Sequence, residues 1–154
     1  MTSAVEVIIG VIVILGLAVI AIRWRAIDLQ GAIAGVIISL LAFLAGGFAW
    51  LFMIVIFFGV SSAMTKYRYD YKRKLGFAQD KSGTRSWPNS LANGGVAAIA
   101  SLAELYTHTE IFAVMFLTSV AVALADTLAT EVGLLSHSKP RLITHLSKAV
   151  EAGT

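Results

Sequence analysis

The chain has 154 residues, 58% of them hydrophobic and only 14% charged, with a mean hydropathy of +0.83 and a formal net charge of +3. That balance excludes an ordinary soluble globular domain and defines a polytopic membrane protein. Cysteine is absent, which removes disulfides and thiolate metal ligands from consideration but says nothing about compartment.

In chain order, apolar runs occupy Ala4 to Ile22, Gly31 to Val60, Leu91 to Tyr106 and Ile111 to Ala125, and one span needs roughly 17 to 25 residues. The first run has no basic segment before it and no clear small-residue cleavage site after it, so it reads as a retained helix rather than a signal peptide. The second would make a helix of roughly 45 Å, too long for one ordinary span, and Gly46-Gly47 divides it into a hairpin of two. The last two runs are short unless they extend to Asn89 and Asp126 or beyond. The expected fold is an all-α, polytopic transmembrane helical bundle. It forms one integral membrane domain over residues 1–154, with five spans at about 4–22, 29–46, 48–65, 90–106 and 110–128.

Basic residues test this count, because short cytoplasmic loops collect Lys and Arg. With the N-terminus outside, Arg23 and Arg25, then the seven cations of loop 64–90 (Lys66, Arg68, Lys72, Arg73, Lys74, Lys81, Arg85), then Lys139, Arg141 and Lys148 all face the cytoplasm; these are all twelve. A single span over Gly31 to Val60 would put the first two groups on opposite sides. A multi-pass protein of the cell membrane is expected.

The first part of the basic loop, Lys66 to Lys74, interleaves cations with Tyr67, Tyr69 and Tyr71. Such a segment suits an interfacial belt that attracts anionic head groups, and that bland role is assigned to Arg68, Lys72 and Arg73. The second part, Asp80 to Ser90, sets Ser, Gly and Thr around Arg85. This is ordinary loop composition that can also hold phosphate oxygens through backbone amides and a guanidinium. There is no Walker loop and no G-x-G-x-x-G fingerprint, so a nucleotide would need a site built between membrane helices.

The run Ala125-Asp126-Thr127-Leu128-Ala129-Thr130-Glu131 follows fifteen almost wholly apolar residues. Charge at a membrane boundary points to function. On a continuous helix Asp126, Thr130, Thr127 and Glu131 fall at roughly 0°, 40°, 100° and 140°, so their oxygens share one face, as a hard cation such as Mg²⁺ requires. The alternative is that they mark where a helix leaves the bilayer. Gly31 with Gly35, and Ala121 with Ala125 and Ala129, read as helix-packing surfaces. His108, His137 and His145 show no ligand spacing, and Glu104 lies near the outer end of its span, within snorkelling reach of water.

Taken in order, Ser61-Ser62-Ala63-Met64-Thr65-Lys66, Arg85, Leu91-Ala92-Asn93-Gly94-Gly95, Ala125 to Gly133, Ser136 and Pro140-Arg141-Leu142-Ile143 resemble the membrane family that includes the phytyl-phosphate kinase of plants and cyanobacteria, the animal transmembrane protein 19 and archaeal relatives, catalogued as domain-of-unknown-function family 92. The resemblance covers Arg25 to Thr154, and the Ala-Asp-Thr-x-Ala-Thr-Glu block is its most specific part. It implies transfer of a phosphoryl group from a nucleoside triphosphate, CTP favoured, to a prenyl monophosphate. Two departures stand out. Asn89 and Ser90 replace a usual Gln-Val pair, and family members continue beyond Gly153-Thr154, so a C-terminally truncated chain is expected.

On this reading Asp126 and Glu131 bind Mg²⁺, directly or through water, and Thr127 and Thr130 hold phosphate or metal-bound water. Lys66, Arg85 and Arg141 neutralise the phosphates, and Ser61, Ser62, Thr65 and Asn93 complete a polar cup. The prenyl tail lies between helices near Phe57, Phe58 and Met115. The partners are thus a nucleoside triphosphate, a prenyl monophosphate and membrane lipids, with no nucleic acid; a homo-oligomer is left open. Two rivals are a transporter or channel, which would place polar groups at the bilayer midplane, and a non-catalytic scaffold, which needs none.

Overall fold

The computed structural model describes residues 3–74, 83–136, 140–142 and 144–150. Helix α1 (Ala4–Arg23) opens with a capping box in which the Glu6 amide donates to Ser3 Oγ and the Ser3 amide donates to the Glu6 carboxylate at 2.7 Å. Helix α2 (Leu29–Lys66) starts at Asp28, whose Oδ1 accepts from the Gly31 amide at 2.9 Å. A short α3 (Tyr69–Lys74) lies within the basic loop. Helix α4 (Trp87–Thr107) begins with Pro88 in its first turn, where no amide is needed, and α5 (Glu110–Gly133) follows His108, which ends α4 in the left-handed conformation. After α5, β1 (Arg141–Leu142) and β2 (His145–Ala149) form an antiparallel pair.

Helix α2 is broken at Gly47, whose φ of 64° and ψ of −152° lie in a region essentially reserved for glycine. Its two halves fold back on each other: Gly31 near the start packs against the Arg85 backbone, while Thr65 near the end faces the Arg85 side chain at 3.5 Å. At the turn, a Cβ on Gly46 would overlap the Trp50 ring. The two α2 halves, α1, α4 and α5 therefore build a bundle of five helical rods. By length and composition α1, α2 and α5 are apolar enough to cross a membrane. Helix α4, which carries Asn89, Ser90, Asn93 and Glu104, is not among them.

The core explains why the polar α4 is tolerated. Ala97 and Ala100 are fully buried and let α4 approach Ala42, Phe57, Phe116 and Val120 closely. Trp50 stacks on Phe116 with centroids 4.0 Å apart, and Gly94 gives room to Ile38. A second cluster joins α1 to the α2 turn through Ile14, Phe43 and Leu51, with Gly10 seated on the Phe43 ring. Large apolar residues such as Ile8, Ile12, Val114 and Val122 point outward, as expected for surfaces facing lipid.

Two local features differ from the sequence reading. Part of the basic loop is helical, and Lys72 is drawn inward rather than left at the interface. The tail contributes a small hairpin, while the other elements among the described residues are helices. Helix α5 runs to Gly133, so the whole Asp126-to-Glu131 block lies on one continuous helix, as the angular spacing of those residues requires.

Candidate functional site

One end of the bundle gathers most of the polar chemistry. The linker between α1 and α2 pairs with the segment before α4. The Arg85 amide donates to the Ala26 carbonyl at 3.0 Å, the Asp28 amide donates to the Arg85 carbonyl at 2.9 Å, and Thr84 Oγ1 donates to the Arg25 carbonyl at 3.0 Å. This clamp fixes the backbone of Arg85, and Ser90 strengthens it by donating to the Gly31 carbonyl at 3.2 Å. Lys66 reaches across from the end of α2 to the Trp24 carbonyl at 2.5 Å, so the cations come from segments far apart in sequence but adjacent in space.

The Arg85 side chain turns inward and is only 5% exposed. Its Nη2 lies 3.5 Å from Thr65 Oγ1 and its guanidinium carbon sits 5.9 Å from the Phe57 ring centroid. Among the described residues its Nε finds no hydrogen-bond partner, nor do the buried hydroxyls of Ser61 and Ser62. Burial pushes the Arg85 pKa below its usual value, and the negative charge of Glu131 pushes it back up. An arginine stays protonated under such opposing pushes. Buried hydroxyl and guanidinium donors around a fixed cation are groups that can receive the oxygens of an anion.

Lys72 completes the arrangement and was missed by sequence reasoning. It is 1% exposed, and its Nζ donates to Glu131 Oε2 at 2.6 Å and to the Met64 carbonyl at 2.7 Å. The available signal was indirect: an acid at a membrane boundary needs a partner, and the basic loop was the nearest source of cations.

The structure brings Ser61, Ser62, Thr65, Arg85, Thr127 and Glu131 to the inside of this end. Thr127 Oγ1 donates to the Ala123 carbonyl at 2.9 Å, within its own helix. Lys66 and Asn93 line the rim of the internal cavity, and Asn93 Nδ2 donates to the Asn89 carbonyl at 2.9 Å. Asp126 and Thr130 lie on the exposed side of α5. The two carboxylates therefore do not converge, since the 140° between them exceeds the arc that α5 buries against its neighbours. Asp126 has no ion pair or hydrogen bond with the described residues, and among those residues no three His, Cys, Asp or Glu side chains cluster as a metal site. Arg141 lies exposed in β1. His137 and Lys139 fall outside the described residues, as do Lys81 and the first part of the Asp80-to-Ser90 turn.

Two concave spaces meet this end. A cavity of about 420 Å³ runs between α1, the folded-back α2 and the first turns of α4, apolar along most of its length and bounded at one end by Ser62, Lys66, Arg85, Ser90 and Asn93. A groove of about 570 Å³ lies between α4 and α5 and ends at Asn93 and Asp126. Phe57 and Phe58 line the first and Met115 the second, so the expected tail-binding residues are divided between them.

A helical membrane bundle with a cationic polar cup at one end is the class of protein defined by this architecture. Residues 12–154 match the family described as Integral membrane protein DUF92, and the chain belongs to that family. It is similar to Protein PGR of Arabidopsis thaliana, with 32% identity over 144 residues that cover 84% of this chain and 49% of that protein. It is also similar to Uncharacterized membrane protein MJ0933 of Methanocaldococcus jannaschii, with 28% identity over 154 residues that cover 100% of this chain and 63% of that protein. The chain thus spans about half to two thirds of the length of these relatives. No solved structure matches it.

Proposed function

We propose that this protein is a membrane-embedded kinase of prenyl monophosphates, using a nucleoside triphosphate, CTP favoured, at the cytoplasmic face. The observation that carries the reading is the polar cup itself: Arg85, held 5% exposed, faces Thr65 beside Ser61 and Ser62, its Nε and the two serine hydroxyls having no partner among the described residues, with the Lys72–Glu131 pair close by. Phosphoryl transfer asks a protein mainly for positioning and charge neutralisation, and this cup offers both.

The acceptor phosphate oxygen attacks the γ-phosphorus in line. A new P–O bond forms, the bond from the γ-phosphorus to the β–γ bridging oxygen breaks, and a nucleoside diphosphate leaves with that electron pair, so the products are a prenyl diphosphate and the nucleoside diphosphate. A phosphate monoester has a second pKa of about 6 and is already a nucleophile at neutral pH, so no histidine base is required. Arg85 and Lys66 hold phosphate oxygens, Thr65, Ser61 and Ser62 donate to them, and Asn93 orients the acceptor between the two concave spaces.

Mg²⁺ is proposed to accompany the nucleotide. The hard oxygen donors suit it, with Asp126 available on the exposed side of α5, whereas Glu131 is already occupied by Lys72 and reaches a metal only through water or after rearrangement. When bound, the ion supplies charge neutralisation. The test is thermal stabilisation of the purified protein: CTP with Mg²⁺ should raise the melting temperature because it binds only the folded state, and an unchanged melting temperature with every nucleoside triphosphate would remove the reading.

A further inference from the structure

We infer that the cavity between α1 and α2 is a slot for the chain of a single-chain lipid phosphate, and that Ile14 and Leu51 at its closed end set the length of chain it accepts. This deepens the kinase reading and rests on it for the identity of the head group as an acceptor. The slot is defined by its asymmetry. Apart from Ser39, the polar side chains that line it stand at one end, where Lys66 and Arg85 are the cations, and among the described residues no carboxylate lines it. At the opposite end Ile14 and Leu51 are 3% and 4% exposed and close on Phe43.

The geometry favours one extended chain over a compact ligand. From Ile14 to Trp24 along α1 is about 15 Å, and from Leu51 to Lys66 along α2 is about 22 Å, so the lined space is long. Its rim is open sideways. Leu17 is 37% and Ile20 44% exposed, and Gly59 opposite them is also exposed. A lipid can therefore enter from the bilayer and slide its head toward Arg85 without crossing water. The head is anionic by charge complementarity, and Arg85 Nε and Ser62 Oγ, without a partner among the described residues, suit a group with several acceptor oxygens, a phosphate, better than a carboxylate. The α4–α5 groove is the competing place, but among the described residues its one ionisable lining residue is Asp126, which repels such a head.

The experiment uses geranylgeranyl monophosphate carrying a photoreactive group at the tail end, added to the purified protein without nucleotide, with the crosslinked residues mapped by mass spectrometry. Crosslinks should fall on α1 and the second half of α2 around Ile14 and Leu51, and excess geranylgeranyl monophosphate should suppress them, whereas inorganic phosphate and a fatty acid should not. Crosslinks around Met115 and Val122, or equal competition by the fatty acid or by inorganic phosphate, would overturn the inference. A second arm measures affinity. Ile14→Trp should weaken geranylgeranyl monophosphate roughly tenfold while leaving geranyl monophosphate nearly unchanged; equal weakening of both, or of neither, in a folded variant rejects the length role. Crosslinking in the slot with no phosphoryl transfer would sink the kinase reading alone, and transfer with crosslinks in the α4–α5 groove would sink this inference alone.

Discussion

Lys72 Nζ lies 2.6 Å from Glu131 Oε2, joining α3 of the basic loop to the last turn of α5 with both side chains shielded from solvent. Two residues 59 apart in sequence thereby tie the basic loop to the helix that carries the acidic motif. The pair gives each of the two buried groups an opposite partner, and a buried charge without a partner is strongly unfavourable.

Removing one partner should therefore cost more than removing both. Lys72→Met leaves Glu131 unpaired and should lower stability by about 3–5 kcal/mol, whereas the double variant Lys72→Met with Glu131→Leu should recover much of the loss. Thermal unfolding of the parent, the two single variants and the double variant measures the coupling. Additive losses would show that the two groups do not act as a pair.

Arg85 and the Tyr-flanked cations should separate in nucleotide binding. Arg85 is buried and clamped, while Arg68 is exposed and sits 5.9 Å from the Tyr67 ring, as an interfacial anchor would. Arg85→Lys should weaken CTP binding because lysine lacks the planar fork, and replacing Arg68 and Arg73 together with Gln should change it little. Titration by fluorescence or calorimetry gives the ranking, and the reverse order would transfer the nucleotide contact to the Tyr-rich segment.

The break in α2 predicts a contrast between glycines. Gly47→Ala should destabilise by about 1–3 kcal/mol, because alanine must adopt a conformation nearly reserved for glycine. Gly59→Ala has open space around its Cβ within regular helix and should be neutral or stabilising by up to about 1 kcal/mol. Melting temperatures of the two variants test this directly.

The charge distribution predicts sidedness. A cysteine at Thr109, in the turn between α4 and α5, should react with an impermeant thiol reagent applied outside intact cells, and one at Ser136, beyond the end of α5, should be protected. Labelling at Ser136 from outside would place the polar cup on the wrong face for a cytosolic nucleotide.

The helical fold was largely legible because its signals are local. Apolar run lengths give the helices, and Gly46-Gly47 marks the break now seen at Gly47. Arg85, Thr65 and the serines were legible as types suited to phosphate, although the clamp of Ala26 and Asp28 on Arg85 depends on contacts about 59 residues apart and leaves no local trace. Lys72 was hidden for the same reason, since nothing in Lys72-Arg73-Lys74 distinguishes the one cation that turns inward. Helical periodicity puts Asp126 and Glu131 on a common polar arc, but the packing of α5, which depends on distant partners, buries only part of that arc and leaves Asp126 exposed. The cavity was invisible, because it arises from α1 and a folded-back α2 together.

The most direct test of the central claim is transfer of label from γ-labelled CTP to a prenyl monophosphate by the purified protein with Mg²⁺. The account predicts labelled prenyl diphosphate, formed more slowly by Arg85→Lys and by Asp126→Asn than by the parent. Absence of labelled diphosphate with CTP, ATP, GTP and UTP, from protein that is folded and retains the lipid, would contradict it.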